Sequence, residues 1–311
     1  MYINFINKTA KPFIKWAGGK SQLLNEIDNA IPYHIKQDRF TYIEPFVGGG
    51  AVLFWILQKY PNVEKAVIND INKDLINSYQ TIKKDVDELI LILKDWESEY
   101  HSLKDKAEAK KEYYYSKRKQ FNARTSDKVT QTALFIFLNR TCFNGLYRVN
   151  RNNQFNVPIG SYKTPMICDE DNLRAVSQVL QKVTILNDDF ENTLEYAEGK
   201  TLFYFDPPYK PLSSTSTFTS YVKDEFDDRE QIRLAKFCEK VDSMGYQWIL
   251  SNSDVKGKNP NNNFFDELYS EFHIKRVTAR RNINSNPNKR GELTELLITN
   301  SAYEKIMSVA K

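Results

Sequence analysis

Leu202-Phe203-Tyr204-Phe205-Asp206-Pro207-Pro208-Tyr209 decides the fold class of this chain. Residues 202–205 form an apolar run that is typical of a buried parallel strand, so the aspartate stands where the strand would end. Open α/β sheets place their functional groups at the carboxyl ends of their strands. Two consecutive prolines cannot continue a strand ladder, and they predict a stiff turn with free carbonyl groups. The stretch therefore predicts an α/β fold with a functional site at residues 206–209.

The groups of this turn predict the chemistry of the site. Asp206 supplies a carboxylate acceptor, Pro207 supplies a carbonyl acceptor, and Tyr209 supplies an aromatic face. An exocyclic amine on a planar base carries two N–H donors and a π face, which these groups match. A strand followed by a structural proline turn is the alternative, and the tyrosine and the apolar strand favour the functional interpretation. The stretch resembles the catalytic motif of the amino-methyltransferases that modify adenine or cytosine in DNA.

Length and charge leave the partner open until the distribution of charge is considered. The 311 residues, of which 41% are hydrophobic, suit one large domain or one domain with a sizeable insertion. A net charge of +4, from 44 basic and 40 acidic residues, is too small to indicate nucleic acid by itself. Residues 128–168 and 273–291 contain basic side chains and no acidic ones, and both are rich in asparagine. These two runs predict a surface that follows phosphates.

The three cysteines, Cys142, Cys168 and Cys238, are odd in number and lack metal-binding spacing. They argue against a disulfide framework and against a zinc site, and they fit a reducing cytoplasm. The amino terminus has no signal-peptide pattern, and no apolar run approaches the length of a membrane span. We therefore expect a cytoplasmic protein without a membrane partner.

Two glycine segments precede predicted helices. Lys15-Trp16-Ala17-Gly18-Gly19-Lys20 comes before a helix predicted from about Ser21 to Ala30, and Glu44-Pro45-Phe46-Val47-Gly48-Gly49-Gly50 comes before one predicted over residues 51–57. Adjacent glycines let backbone N–H groups approach an anionic ligand closely. The second loop lacks the third glycine of a dinucleotide fingerprint, which argues against a nicotinamide oxidoreductase.

An acidic residue follows the next predicted strand. Residues 66–68 form an apolar run that ends in Asn69-Asp70, about 20 residues beyond the glycine loop, where an acidic side chain would accept hydrogen bonds from both ribose hydroxyls. The alternative for Asp70 is a cap of the helix predicted over residues 71–79. Asn72 and Asp74 are also available as caps, so we assign Asp70 to the ribose.

An insertion is predicted between the first strands and the rest of the sheet. Residues 81–139 carry Leu, Ile, Lys and Glu at helical spacing. From Arg140 to Lys163 the turn signals and aromatic residues predict two short strands joined at Asn152-Asn153. Arginine reads guanine and asparagine reads adenine, so such a hairpin is suited to a major groove.

Together these motifs, from roughly Lys11 to Asn300, resemble the Dam-like DNA adenine N6-methyltransferases. The order of cofactor loop, recognition insert and catalytic motif is that of the alpha group, which includes type II modification methylases that often act on GATC. The resemblance implies a Rossmann-like core dependent on S-adenosylmethionine, formed by residues 1–80 and 165–311. It also implies an inserted helical and β-hairpin target-recognition domain over residues 81–164.

The resemblance assigns functional residues. The cofactor S-adenosylmethionine would be bound by Trp16, Lys20, Phe46, Gly48, Gly50, Asp70, Asp189, Phe190 and Asp206. Asp189, after the predicted strand 183–186, would accept from the adenine amino group of the cofactor, with Asp188 as its alternative, and the ring of Phe190 would stack. Double-stranded DNA would be contacted by Lys15, Phe143, Asn144, Leu146, Arg148, Asn150 and Pro158, with Arg148 reading a guanine. Ser161 stands where many family members have arginine.

The catalytic motif Asp206, Pro207, Pro208 and Tyr209 predicts the reaction. Hydrogen bonds from an adenine N6–H to the aspartate carboxylate and the first proline carbonyl would localise the nitrogen lone pair for methyl transfer. The tyrosine would stack on the extruded base, since this nitrogen is unreachable inside a duplex. No metal is required, and no Pro-Cys nucleophile signature is present for carbon-5 methylation of cytosine.

We therefore expect a site-specific DNA adenine N6-methyltransferase. The resemblance implies a prokaryotic or phage host, a role in restriction-modification and a separate cognate restriction endonuclease. An amino-methyltransferase acting on cytosine, on a protein glutamine or on RNA is an alternative, although the major groove of A-form RNA is too narrow for the hairpin. A catalytically inactive DNA-binding relative is another.

The carboxyl-terminal third supplies the remaining elements. Residues 210–221 are rich in Ser and Thr and suit a loop that closes over a ligand. A helix is predicted from Asp227 to about Met244. Strands are predicted over residues 246–250, 272–277 and 295–298, with a polar loop over residues 282–291.

Overall fold

The computed structural model of the chain describes residues 9–210, 226–257, 259–280 and 292–301, with the backbone alone at residues 279, 280, 292 and 293. Seven strands in this part of the chain form one sheet in the order β3-β2-β1-β4-β5-β7-β6. They are β1 Phe40–Glu44, β2 Val63–Asn69, β3 Val183–Leu186, β4 Thr201–Phe205, β5 Gln247–Ser253, β6 His273–Arg280 and β7 Glu292–Thr299. Strands β1 to β5 pair in parallel, and β7 is antiparallel to both of its neighbours.

The chain changes direction across the sheet between β1 and β4. From β1 it continues outward through β2 to β3, and then it crosses back to β4 and β5 on the other side. The register pairs Ile43 with Phe203, so the loops that follow β1 and β4 leave the sheet side by side. Ligands of open α/β sheets bind at such a switch point, outside the carboxyl ends of the strands.

Both faces of the sheet are covered, which explains why its central strands are almost continuously apolar. Every residue of β1 and β4 is buried. Leu202 and Tyr204 belong to the apolar cluster on one face, and Phe203 and Phe205 belong to the cluster on the other. This alternation is the two-residue period of a strand. The predicted α/β class is confirmed.

Ten α-helices surround this sheet within the described residues. They are α1 Leu24–Ala30, α2 Tyr33–Gln37, α3 Ala51–Lys59, α4 Lys73–Lys84, α5 Val86–Ser102, α6 Ala107–Ala123, α7 Lys128–Thr141, α8 Glu170–Leu180, α9 Asp228–Ser243 and α10 Phe264–Leu268. The prediction that the first helix begins near Ser21 is wrong by three residues. The Leu23 N–H donates to the Lys20 carbonyl at 2.8 Å, and this turn precedes the helix.

Helices α5, α6 and α7 lie within the residues for which a helical insertion was predicted. Helix α7 is the central one of the three, and nearly all of its residues are buried. It packs against α4 as well as against α5 and α6. Its side chains join the apolar cluster that includes Tyr42 of β1. The predicted boundary at residues 80/81 lies inside α4.

Residues 140–163, which we call the hairpin segment, reverse direction as predicted but do not form two regular strands. Its β pairing consists of the isolated bridges Cys142–Ile159 and Val149–Phe155. Asn144 has a φ of 55° inside a short 3-10 turn over Phe143–Gly145, and this left-handed backbone interrupts a ladder. The predicted reversal at Asn152-Asn153 is confirmed: the Asn153 N–H donates to the Asn150 carbonyl at 2.9 Å.

Contacts from helix α6 hold the hairpin segment from the side. The buried ammonium of Lys110 donates to the carbonyls of Tyr162 and Lys163 at 2.8 and 2.7 Å. Tyr114 donates to the carbonyl of Val157 at 2.8 Å. The Asn122 amide bonds both the N–H and the carbonyl of Phe155. The segment therefore takes its shape from its surroundings more than from its own ladder.

Two predicted features fall largely outside this description. The closing loop predicted over residues 210–221 lies outside it except for its first residue, and so does the polar loop predicted over residues 282–291. Among the helices that are described, none combines the length and the apolarity that a membrane crossing requires.

Candidate active site

Asp206 lies directly after β4, where it forms an ion pair with Lys20. The Lys20 Nζ atom is 2.9 Å from Asp206 Oδ1, and the two side chains retain 3% and 21% of their exposure. Burial raises the pKa of Asp206, the charge of Lys20 opposes this shift, and the nearby charge of Glu295 adds to it. Two residues 186 positions apart in sequence, which were predicted as a cofactor residue and a catalytic residue, are therefore in direct contact.

Strand β5 supports the aspartate from the neighbouring position in the sheet. The Ser251 hydroxyl donates to Asp206 Oδ1 at 3.1 Å and lies 2.9 Å from the hydroxyl of Tyr204. Both side chains are buried, so this oxygen is held by fixed groups within the sheet. The carboxylate is thereby oriented before any ligand arrives.

The rest of the acceptor loop, residues 206–209, is braced by helix α9 and strand β5. The Gln231 side-chain amide donates to the backbone carbonyl of Pro208 at 3.1 Å. The Asn252 side-chain amide in turn donates to the side-chain oxygen of Gln231 at 3.0 Å. Gln231 and Asn252 are completely buried. Tyr209 lies beside the ion pair, with the Lys20 Nζ atom 4.5 Å from its ring centroid. The predicted stiff turn is thus fixed by buried amides as well as by its prolines.

The glycine loop, residues 45–50, follows β1 and adjoins the ends of β2 and β3. The Gly48 N–H donates to Asp70 Oδ2 at 3.1 Å, and the Asn72 N–H donates to Asp70 Oδ1 at 2.9 Å. Burial raises the pKa of Asp70 to about 6, and these two N–H groups limit the rise. Asn72 caps α4 by accepting from the Leu75 N–H, so Asp70 is not the cap of that helix.

Trp16 covers the glycine loop, and this contact explains why glycine is needed there. A Cβ atom at Gly48 would lie 2.9 Å from the Trp16 ring, and one at Gly49 would lie 3.0 Å from the Trp16 Cβ. Gly50 has a φ of 76° and would place a Cβ 2.9 Å from the Phe54 ring. Trp16 therefore packs on the glycine backbone at which the sequence predicted the close approach of a ligand.

The carboxyl end of β3 brings Asp189 and Phe190 to the same edge of the sheet. Asp189 Oδ1 accepts from the Glu191 N–H at 3.0 Å, and its other oxygen forms an ion pair with Arg233 of α9. The Arg233 guanidinium lies 4.2 Å from the centroid of the Phe190 ring. Phe46 of the glycine loop lies on another side of that ring, with centroids 5.3 Å apart. The predicted purine-binding pair is assembled next to the glycine loop and has a cationic neighbour.

Asn69 joins the loops that follow β1 and β3, and Glu44 is buried at the end of β1 beside them. The Asn69 amide donates to the carbonyls of Pro45 and Asp188 at 3.1 and 2.9 Å. Glu44 is fully buried and accepts from the Tyr42 hydroxyl at 2.8 Å. Burial raises the pKa of Glu44 well above its usual range, and the charges of Asp206 and Asp70 raise it further.

Most of the predicted DNA-contacting residues of the hairpin segment are exposed, and another of them, Arg148, is oriented by a neighbouring side chain. Phe143 and Leu146 are exposed by 49% and 38%, which is unusual for large apolar side chains. Asn144 and Pro158 are also exposed, and Asn150 is half-buried at the reversal. The Arg148 Nε atom donates to the Asn156 side-chain oxygen at 2.7 Å, which fixes the direction of its guanidinium.

Lys15 joins the hairpin segment to the amino-terminal segment. Its ammonium donates to the Tyr162 hydroxyl at 3.3 Å and lies 4.7 Å from that ring. The Asn139 amide bonds both the N–H and the carbonyl of Lys15 and donates to the Gly145 carbonyl. Lys15 is therefore held against the hairpin segment by these contacts. That Lys15 faces DNA stays a prediction.

Three cations of the predicted phosphate-following surface have partners within the protein. Arg140 donates to the Phe13 carbonyl, and burial lowers its pKa. In the second basic run Lys275 pairs with Glu26, and Arg276 pairs with Asp254 and Asp266. The sequence placed these three cations on the predicted phosphate-following surface, because it does not reveal the partners that the fold brings to them. The remaining basic side chains of the second run, from residue 280 onward, lie outside the described part of the chain.

Several site residues escaped sequence reasoning. Asn139 directly follows the apolar run of residues 133–138 in α7, and Ser251 directly follows that of residues 248–250 in β5. This change from apolar to polar was the available signal. Ile71 follows Asp70 directly and is 58% exposed. Arg233 carries no such signal, because its position on α9 beside Asp189 depends on the fold.

The glycine loop after β1 and the loops that follow β2, β3 and β4 fit the nucleoside cofactor that the sequence predicted. They combine carboxylates for ribose hydroxyls and an amino group, aromatic rings for a purine, and a glycine backbone for an anionic end. The sheet order, the antiparallel β7 between β5 and β6, and this glycine loop define a Rossmann-like methyltransferase core. The class is that of the methyltransferases that use S-adenosylmethionine.

Comparison with known proteins identifies the family. Residues 16–283 match the family described as D12 class N6 adenine-specific DNA methyltransferase. The chain belongs to this family, and its reaction is the N6 methylation of adenine in DNA with S-adenosylmethionine as methyl donor.

Curated relatives match over nearly the whole chain. The type II methyltransferase M.MjaIII of Methanocaldococcus jannaschii is 51% identical over 294 residues, 93% of this chain and 99% of the relative. The DNA adenine methylase of Haemophilus influenzae is 39% identical over 92% of each chain. The type II methyltransferase M1.LlaDCHI of Lactococcus lactis subsp. cremoris is 38% identical, over 93% of this chain and 95% of the relative. The predicted family and reaction are thereby confirmed.

Proposed function

We propose that the acceptor loop methylates an adenine that has been rotated out of a short duplex site. The observation that carries this proposal is the position of Asp206. It lies at the carboxyl end of β4, with one carboxylate oxygen held by Ser251 and Lys20. An acceptor fixed in this way can bind an amine without reorganising at the moment of reaction.

The catalytic roles follow from hydrogen-bonding capacity. The Asp206 carboxylate and the Pro207 carbonyl accept from the two N6–H donors of adenine, and this favours a pyramidal nitrogen with a localised lone pair. Pro208 keeps the loop stiff, and its carbonyl is already occupied by Gln231. The ring of Tyr209 stacks on the extruded base. The amine is itself the nucleophile, so this scheme requires no metal.

The cofactor site is formed by the residues around the glycine loop. S-adenosylmethionine supplies an electrophilic methyl group when it is bound. Asp70 accepts from the ribose hydroxyls, while Asp189 and Phe190 hold the purine. Gly48 and Gly50 allow close approach at the methionine end, and the side chains of Trp16, Lys20 and Phe46 line the remaining sides. Ile71 adds an apolar contact next to the ribose.

DNA recognition belongs to the hairpin segment and the insertion, residues 81–164. The exposed side chains of Phe143 and Leu146 contact bases, together with Asn144, Asn150 and Pro158. The guanidinium of Arg148 reads a guanine, because it offers the bidentate donor pair that guanine O6 and N7 accept. Lys15 approaches the duplex from the amino-terminal segment.

The biological setting is proposed from the resemblance and the relatives. Two of the relatives described above carry type II names, which supports a role in restriction-modification with a separate endonuclease. We propose GATC as the target sequence. Ser161 replaces the arginine of many family members, so a departure from GATC would be expected to involve this position. Double-stranded DNA in the cytoplasm of a prokaryote, or DNA of a phage, is the proposed substrate.

One experiment tests the reaction and the site together. Purified protein is incubated with unmethylated genomic DNA and S-adenosylmethionine, and the modified bases are located by single-molecule sequencing. We expect N6-methyladenine confined to one short motif, and far less of it from the Asp206→Asn variant in an equal incubation. Modification without a motif would contradict the proposed role of the hairpin segment, and modification by the variant at the wild-type rate would contradict that of Asp206.

A further inference from the structure

Glu295 contacts the acceptor loop from a strand that the mechanism above does not use. It lies on β7, opposite Ser253 of β5 in the antiparallel register. Its Oε2 atom accepts a hydrogen bond from the hydroxyl of Tyr209 at 2.7 Å, across 86 residues of sequence. From sequence, residue 295 was assigned only to the start of a strand.

The Tyr209 ring is therefore held at two points. Glu295 holds the phenol end, and the Lys20 ammonium lies 4.5 Å from the ring centroid. Burial raises the pKa of Tyr209 well above its usual range, and the charges of Asp206 and Glu295 raise it further. The phenol stays protonated and is the donor, so the carboxylate must be the acceptor. This fixes the direction of the hydrogen bond and the position of the phenol end, and therefore the direction of the ring's long axis.

The charge of Glu295 is unfavourable for the site in terms of stability alone. Its negative charge raises the pKa of the nearby Asp206, as a second carboxylate does when two share one site. The following residues of β7, Leu296 to Ile298, are completely buried and apolar. A leucine at position 295 would extend this apolar run and would remove the like charge. The acidic residue at this position instead accepts the hydrogen bond from Tyr209.

We propose that Glu295 is a positioning residue for methyl transfer, which holds the Tyr209 ring at the orientation in which it stacks on the extruded adenine. This inference rests on the proposed function. Removal of the carboxylate leaves the phenol end free to shift, and a stacking partner that shifts no longer fixes the amino nitrogen against Asp206. The expected effect is on the rate of transfer more than on the binding of either substrate.

The test compares Glu295→Leu and Glu295→Gln with the wild type. For Glu295→Leu we expect kcat to fall about 10- to 100-fold, while the KM for DNA and the Kd for S-adenosylmethionine change by less than about threefold. Glu295→Gln retains an acceptor oxygen and should recover most of the rate. Thr294→Val is the matched control, because Thr294 is the adjacent residue of β7 and donates to Asp254 instead. Its kcat should equal that of the wild type.

A second readout separates positioning from a general structural effect. 2-Aminopurine at the target position reports base stacking, and its emission in the complex should increase in Glu295→Leu because stacking on Tyr209 is weakened. Tyr209→Phe should show the same increase, and the double variant Glu295→Leu/Tyr209→Phe should be no slower than the slower single variant.

Three results would overturn the inference: an unchanged kcat in Glu295→Leu, unchanged emission, or losses that multiply in the double variant. Asp206→Asn distinguishes this failure from failure of the proposed function. If Asp206→Asn is inactive while Glu295→Leu is fully active, the reaction scheme stands and the role of Glu295 does not. If Asp206→Asn retains the wild-type rate, the reaction scheme itself fails.

Discussion

The ring of Trp16 stacks on the ring of Tyr147, with centroids 5.4 Å apart and planes inclined by 26°. The tryptophan covers the glycine loop, whereas the tyrosine belongs to the hairpin segment. The Tyr147 hydroxyl donates to Asp74 at 2.9 Å, four residues beyond Asp70. One aromatic pair thus connects the proposed cofactor site with the proposed DNA-reading element. We expect substitution of either residue to affect both cofactor binding and DNA recognition.

Tyr147→Phe removes the hydroxyl and keeps the ring stack. Asp74 would lose one of its two partners and keep the ion pair with Arg124. We expect the free energy of unfolding to decrease by about 1 to 2 kcal/mol, with an unchanged denaturant m-value. Discrimination against sites with one altered base should also weaken. Tyr113→Phe is the control, since Tyr113 donates to an exposed glutamate on α5, and it should leave discrimination intact.

Gly145→Ala tests the contact between the hairpin segment and Lys15. Gly145 has a φ of 66°, and an added Cβ atom would lie 2.9 Å from the Lys15 Cβ. Gly199 has a φ of 53° with open space around it, so Gly199→Ala carries the backbone strain alone. Both variants should lose about 1 kcal/mol of stability from the left-handed backbone. Only Gly145→Ala should weaken DNA binding, and equal DNA affinity in the two variants would argue against the contact.

Asp206→Asn keeps the shape of the acceptor and removes its charge. We expect kcat to fall about 10²- to 10³-fold, because a preorganised charged acceptor for the amine is lost. DNA binding measured by fluorescence anisotropy should change little. Asp38→Asn removes a carboxylate from an exposed ion pair with Lys200 and should retain full activity. A wild-type rate in Asp206→Asn would exclude the acceptor role.

Asp70 should make cofactor affinity depend on pH. Its pKa is raised from 3.8 to about 6 by burial, so the carboxylate gains a proton as the pH falls through about 6 and accepts hydrogen bonds less well. We expect the affinity for S-adenosylmethionine, measured by calorimetry, to decrease from about pH 7 to about pH 5. Asp70→Asn should bind weakly without this dependence.

The same ionisation should affect the free energy of unfolding in the opposite direction, because acid weakens cofactor binding but increases the contribution of Asp70 to stability. Between about pH 6 and about pH 4 the folded state binds a proton at Asp70 that the unfolded state does not bind. The contribution of this group to the free energy of unfolding should therefore increase as the pH falls through that window. The difference in unfolding free energy between the wild type and Asp70→Asn, followed against pH, measures it.

Arg148→Ala should relax the choice of site. A bidentate arginine contact contributes about 1 to 3 kcal/mol of discrimination at its base, so the variant should methylate sites that differ there. Asn156→Ala should cause a smaller change in the same direction, because Asn156 orients the guanidinium. Arg174→Ala, which breaks surface ion pairs on α8, is the control. Unchanged discrimination in Arg148→Ala would remove the hairpin segment from the recognition scheme.

The sequence predicted the strands and the loops that follow them, because each central strand contains a short apolar run. It could not predict contacts between distant residues. The pairing of Lys20 with Asp206 depends on the glycine segment reaching β4, and nothing local to either residue indicates it. The place of β7 between β5 and β6 is similarly a property of the whole sheet.

The hairpin segment and the basic runs show where sequence patterns mislead. Alternating aromatic and turn residues predicted two strands, but the left-handed Asn144 and the contacts from α6 produce an irregular backbone. Arg140, Lys275 and Arg276 looked like free cations, and each is bound by a group that the fold brings from elsewhere. Counts of charge ignore such partners.

The dependence of the hairpin segment on Lys110, Tyr114 and Asn122 limits how new specificities can arise. A hairpin grafted alone from a relative would lose the helix side chains that bond its carbonyls and would not keep its shape. Specificity and scaffold must therefore be inherited as one block. Engineering of a new target site should accordingly exchange α6, α7 and the hairpin segment together.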